Sequence, residues 1–101
     1  MFVEETEKPE VFTMSKVYHA IKPDFRDEGQ SFPDDYEMVA EVDSNDLNHI
    51  YELTNHIFRD WTTGGLVKPV RGHLRSTSVG DIVELEDGTK YLCQGIGWKG
   101  L

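Results

Sequence analysis

Asp87-Gly88 stands between two runs that alternate apolar and polar residues, and nothing else in the chain restricts its fold so tightly. Asp-Gly in that setting is a strong hairpin signal, because a two-residue type I′ turn needs positive φ at both central positions. With Glu86 set opposite Thr89, the pairing runs Leu85 to Lys90, Glu84 to Tyr91, Val83 to Leu92, Ile82 to Cys93 and Val79 to Ile96. One face then gathers Val79, Val83, Leu85, Leu92 and Ile96, and the other Ile82, Glu84, Glu86, Tyr91 and Cys93. A slip of one residue would destroy that segregation. Arg75 to Trp98 therefore reads as a hairpin entered through a Val79-Gly80-Asp81 corner.

The rest of the chain reads as packing around it. Residues 1–10, with Glu4, Glu5, Glu7, Glu10 and Pro9, form an acidic mobile arm, and residues 11–101 a single domain. Val11 to Lys22 is a strand, with Val17, His19 and Ile21 on one face and Tyr18 and Ala20 on the other, and Pro23 stops it. Asp24 to Asp35 is a long polar loop of the kind that often binds, and Phe25 and Phe32 in it either pin the loop or face a partner. Tyr36 to Val42 alternates strictly as a half-buried strand, Tyr36, Met38, Ala40 and Val42 against Glu37, Val39 and Glu41. Asp43 is the expected N-cap of a helix, with Asp46 at its third position. Leu47, Ile50, Tyr51, Thr54, Ile57, Phe58 and Trp61 form its apolar stripe, and Gly64-Gly65 ends it after roughly 18 residues. A bent extended segment, Leu66 to Leu74, feeds the hairpin. The fold expected is α+β, an antiparallel sheet of four to five strands with one long amphipathic helix packed on one face. Its core would contain Val17, Ile21, Met38, Ala40, Leu47, Ile50, Tyr51, Ile57, Phe58, Val79, Val83, Leu85, Leu92 and Ile96.

Charge is distributed unevenly. The net charge is −9; residues 1–60 hold fifteen acids against five Lys/Arg, and residues 61–101 four against five. An acidic surface repels nucleic acid and membrane and attracts basic partners, although solubility alone also accounts for it. No apolar run approaches the roughly 18 residues that span a bilayer. The single Cys93 rules out an internal disulfide and suits a reducing cytoplasm, where it serves as a small packing residue.

Residue types that carry chemistry do not converge. His49 and His56 lie about 10.5 Å apart along a helix, too far to share one ion directly, so with Glu52 they read as solvated helix residues. Ser76, Thr77 and Ser78 lack a nucleophile elbow and read as backbone-bonding residues at a strand entrance. A pocket enzyme using Asp81, His73 and Arg75 is a minor alternative. No catalytic residue, metal site or cofactor is expected. The basic segment Lys68, Arg71, His73 and Arg75, beside Trp98, has the cations and aromatic platform that a nucleic-acid strand requires. Glu84 and Glu86, or Glu37 and Glu41, would project at intervals of about 6.7 or 13 Å, and the shorter resembles the spacing of neighbouring phosphates.

Arg75, Ser76, Ser78, Val79, Gly80, Asp81 and Ile82, then Asp87-Gly88, Tyr91 and Gly97-Trp98, form a pattern that resembles the YodL-like domain of small phage, plasmid and bacterial mobile-element proteins. The resemblance covers about a quarter of the chain. It carries over no catalytic residue. It implies a mobile-element origin, a setting in which small acidic proteins often bind and block host machinery.

The function expected is a non-enzymatic phage or mobile-element protein of the bacterial cytoplasm. Its acidic surface, Asp34, Asp35, Glu37, Glu41, Glu84 and Glu86, would engage and inhibit a host protein with a basic surface, such as a nucleic-acid-binding defence component. The alternative is a nucleic-acid-binding module using Lys68, Arg71, His73, Arg75 and Trp98. No membrane partner is expected.

Overall fold

The computed structural model describes residues 14–25, 28–56 and 59–101. It shows β1 (Met14–Ala20), β2 (Tyr36–Asp43), α1 (Leu47–Thr54), a 3₁₀ turn (Trp61–Thr63), β3 (Val67–Pro69), β4 (Ile82–Glu84), β5 (Lys90–Cys93) and β6 (Trp98–Gly100). All six strands join one antiparallel sheet in the order β3-β2-β1-β4-β5-β6. Two meanders thus lie side by side, and residues 70–81 cross back between them to bring β4 beside β1. No helix among the described residues is long and apolar enough to cross a membrane.

This overturns the α+β expectation of a long helix on four to five strands: the described residues are mostly β, with one short helix among them. Asp46 rather than Asp43 caps α1, its carboxylate accepting from the amides of Asn48 at 2.9 Å and His49 at 3.2 Å. The helix stops at Thr54, whose carbonyl another segment takes. The Thr77 amide donates to the Thr54 carbonyl, and the Asn55 side chain donates to the Thr77 carbonyl at 2.7 Å. Trp61 belongs to the separate 3₁₀ turn, which Asp60 caps through the Thr62 amide. The apolar stripe is real over Leu47 to Thr54, but apolar spacing does not reveal a rival hydrogen-bond partner twenty residues away. Ile57 and Phe58 lie outside the described residues, as do the arm 1–10 and the expected start of strand one at Val11.

The hairpin forms one residue out of the expected register. Ile82 faces Leu92, Val83 faces Tyr91 and Glu84 faces Lys90. The Leu85 amide donates to Thr89 and the Gly88 amide to Leu85, so the loop is three residues, Glu86 to Gly88, with Gly88 at φ 90°. Asp-Gly serves this loop as well as the two-residue turn, since glycine fills the left-handed position of a bulge. The segregation argument fails because both faces of this sheet are covered. Val83, Leu85 and Trp98 pack with Val17, Val39, Ala40, Val42, Ile50, Trp61 and Val67 beneath α1, while Ile82 and Leu92 pack with Ala20 and Tyr36 on the other side.

A second irregularity breaks the alternation of β2. Val17 faces Ala40 but Tyr18 faces Met38, so Val39 is a bulge residue, and Val39 and Ala40 are both fully buried. Of the remaining expected core, Met38, Leu47, Tyr51, Val79 and Leu85 are half-buried. Ile21 and Ile96 are exposed, Ile96 by 95% at the β5–β6 turn. Fully buried side chains such as Ile50 each contribute about 2–3 kcal/mol.

Candidate functional site

The sequence-predicted residues separate into an internal lock, a row of charges and an acidic loop end. The lock forms at the Val79-Gly80-Asp81 corner. Gly80, at φ 94°, turns the chain so that the Asp81 carboxylate points back along 75–78. Arg75 meets it as a fork, Nη1 on Oδ2 and Nη2 on Oδ1, both at 2.7 Å. The amides of Ser78 and Ala20 complete four donors to the carboxylate, at 2.8 and 2.9 Å, and Asp81 is 1% exposed. Arg75 also donates to the carbonyls of Ser76 and Ala20. The pair therefore ties the crossing segment to the end of β1.

Sequence reasoning missed His19, which is buried beside this lock. Its Nε2 lies 2.9 Å from Thr77 Oγ1 and 4.0 Å from Asp81 Oδ2, and its ring meets Trp61 at 6.1 Å. Burial pushes its pKa down to about 4, with Asp81 pulling upward and Arg75 downward, so it is neutral at pH 7. A Thr–His pair has the right geometry for nucleophile activation, but Thr77 is fully buried, so no substrate reaches its hydroxyl. Its alternation with Val17 on β1 was the only sequence signal for an inward position. The minor enzyme alternative also scatters: His73 pairs with Asp60 at 3.3 Å, whereas Asp81 pairs with Arg75. No group of three or more potential metal ligands gathers among the described residues.

The alternative basic patch is not brought together as a free surface. Arg75 belongs to the lock, Arg71 binds Glu37 at 3.2 Å, and Lys68 stands opposite Glu41 across β3 and β2. Trp98 packs edge-on against Tyr51 at 6.4 Å and donates to Asn48 at 3.3 Å.

The six acids do not share one face either. Because of the bulge at Val39, Glu37 stands opposite His19 and Glu41 opposite Lys16, which places the two on opposite faces of the sheet. Glu41 and Glu84 instead enter a row that crosses five strands with alternating sign: Lys68, Glu41, Lys16, Glu84, Lys90. Lys90 Nζ lies 3.8 Å from Glu84 and 5.9 Å from the Phe32 ring centroid. The Tyr18 hydroxyl donates to Glu84 at 3.0 Å, and burial together with that carboxylate pushes the phenol up to about 12. Glu86 sits in the hairpin loop beyond the row.

Asp34 and Asp35 lie at the opposite end, on the loop that covers the second face. Phe32 pins this loop, meeting Tyr18 at 4.9 Å and Tyr36 at 5.7 Å. The Tyr36 hydroxyl donates to the Gly80 carbonyl at 2.6 Å and accepts from the Gln30 amide. Burial raises the pKa of that phenol, and Asp24 and Asp35, both within electrostatic range, raise it further. The Ile21 amide bonds the Asp35 carbonyl at 2.9 Å, so the loop returns beside its own start. Phe25, unlike Phe32, is 57% exposed, at φ 58°.

Compared with protein-family models, curated proteins and solved structures, the chain matches none.

Proposed function

We propose that this is a non-enzymatic binding protein that engages and inhibits a basic partner protein through its acidic loop end, around Asp34 and Asp35. One observation carries the reading: the cations of β1 to β5 and of the crossing segment face other acids, and residues 22–35 hold five acids against only Lys22 and Arg26. Arg75 is locked to Asp81, Arg71 to Glu37 and Lys90 to Glu84, and Lys68 and Lys16 flank Glu41. The loop from Asp24 to Asp35 contains five acids and one arginine, so its field is negative. The same engagement weakens the nucleic-acid alternative, which needs those cations on phosphates. The likeness of Arg75–Trp98 to YodL-like domains supports a mobile-element setting, with a bacterial host's nucleic-acid-binding defence component as the partner class.

Affinity capture from bacterial lysate with the wild-type protein and an Asp34→Asn/Asp35→Asn variant tests this. A basic protein retained at low salt, released by high salt and lost with the variant is expected. Retention of nucleic acid, or capture indifferent to salt, would overturn it.

A further inference from the structure

The six-stranded sheet has two edges, β3 and β6, and they differ in what their outer backbone offers. On β3 the Asp43 amide donates to the Leu66 carbonyl and the Val70 amide to the Val39 carbonyl. Backbone direction alternates along a strand, so Lys68 also bonds inward while Val67 and Pro69 face out. Pro69 has no N–H, and the Val67 amide is taken by the Gly64 carbonyl at 3.3 Å. The β3 edge is thereby blunted. On β6 the Gly97 carbonyl accepts from the Gln94 amide at 3.1 Å, and the Leu101 amide donates to the Lys90 carbonyl at 2.9 Å. Lys99, opposite Leu92, bonds inward between them, so Trp98 and Gly100 turn their amides and carbonyls outward. Among the described residues no strand lies beyond them.

The register also sets the chemistry of this open edge. Lys99 is exposed, and its neighbours on the same face are Lys90, Leu92, Gln94, Gly97 and Leu101, none of them acidic. On the other face, a Cβ at Gly100 would lie 3.7 Å from the Tyr91 ring, so a large apolar side chain added opposite Gly100 would reach that ring. A second copy fits poorly, because pairing Trp98 with Gly100 about a two-fold axis sets Lys99 against Lys99. The geometry points to the β6 edge as an acceptor for an extended segment of a partner protein, added as a further strand, with a carboxylate opposite Lys99 and large apolar side chains on either side of it. This surface is separate from the acidic loop end around Asp34 and Asp35.

The probe is a pair of short synthetic peptides, each with one central residue flanked by phenylalanines and threonines, the central residue being glutamate in one and lysine in the other. Amide hydrogen exchange of the full chain is followed at about 0.15 M salt, which screens charges elsewhere on the molecule. The Trp98 and Gly100 amides should exchange freely without peptide and become protected by the glutamate peptide, while those of Lys99 and Leu101, already bonded to β5, should not change. The lysine peptide should need about tenfold more for the same protection, and Lys99→Glu should reverse that order. Gly100→Pro removes an outward donor without breaking a bond to β5, so it should keep the thermal midpoint and weaken glutamate-peptide binding about tenfold. Equal protection by the two peptides, binding that leaves Trp98 and Gly100 unprotected, or no binding of either would overturn the proposal. So would protection of both amides without peptide, whether constant with protein concentration, the chain then covering its own edge, or rising with it, a second copy then doing so.

Discussion

The Asp81 carboxylate, itself buried, accepts four hydrogen bonds, two of them from the partly exposed Arg75 guanidinium. Removing one partner of such a pair leaves a buried charge or several buried donors unmatched, which costs more than the pair itself contributes. Asp81→Ala should lower unfolding free energy by about 3 kcal/mol. Arg75→Lys should recover little of an Arg75→Ala loss, since an ammonium cannot bond both carboxylate oxygens and two carbonyls from one plane. Urea denaturation followed by tryptophan fluorescence measures both. His19 adds a pH dependence. It is held down at about 4 in the folded chain against an ordinary value of 6.5, so between these values the unfolded chain binds the proton more readily. Stability from this group is complete above pH 6.5 and is lost as pH falls towards 4, by about 3 kcal/mol in all. Asp81 and Glu37 oppose the downward shift and Arg75 and Arg71 reinforce it, so burial sets the sign. NMR titration of the ring should give a midpoint near the lower value, and a midpoint near 6.5 would sink the prediction.

At the scale of elements, what was legible and what was not follow from the range of the forces involved. The strand pattern of residues 14–20 and 36–43 is local, and so was the Asp-Gly turn. Register was not, because Ile82 and Leu92 can be buried on either face once the loop with Phe32 covers the second one. The helix began and ended differently for the same reason: the Thr77 amide that takes the Thr54 carbonyl comes from the crossing segment. Of the candidate site, the acidic loop and its two phenylalanines were legible, but not which phenylalanine turns outward. The Arg75–Asp81 fork was hidden as well, since it depends on a corner at Gly80 rather than on spacing. The loop itself is fastened by close packing at Gly29, at φ 73°, where an added methyl would meet Leu92 Cδ1 at 2.8 Å and the Tyr36 hydroxyl at 3.2 Å. Gly29→Ala should destabilise the protein by about 1–2 kcal/mol through strain and crowding together. Protection of the Gln30 and Ser31 amides, measured by hydrogen exchange, should fall more than that of β1, because the loop lifts before the sheet opens.

At the scale of the whole molecule, the row Lys68, Glu41, Lys16, Glu84, Lys90 joins the two meanders electrostatically across five strands. Its central member, Lys16, is exposed and stands between two carboxylates on the strands at the junction of the meanders. Each directly opposed pair of unlike charge contributes a few tenths of a kcal/mol, and like charges in the same positions oppose the sheet. Lys16→Glu would set three carboxylates side by side on β2, β1 and β4, turning two attractions into two repulsions, with an expected loss of about 1 kcal/mol at low ionic strength. Because Lys16 is exposed, salt should restore most of the loss, the Debye length being about 3 Å at 1 M against 10 Å at 0.1 M. Lys16→Gln removes the attractions without adding repulsions and should fall between the two, with a weaker salt response. Thermal midpoints of the three proteins at low and high salt decide the matter. If Lys16→Glu lowers the midpoint equally at both, its effect is steric or conformational and the row is only a coincidence of register. If the deficit shrinks with salt, the charges on this face are balanced internally and the row is a working part of the sheet.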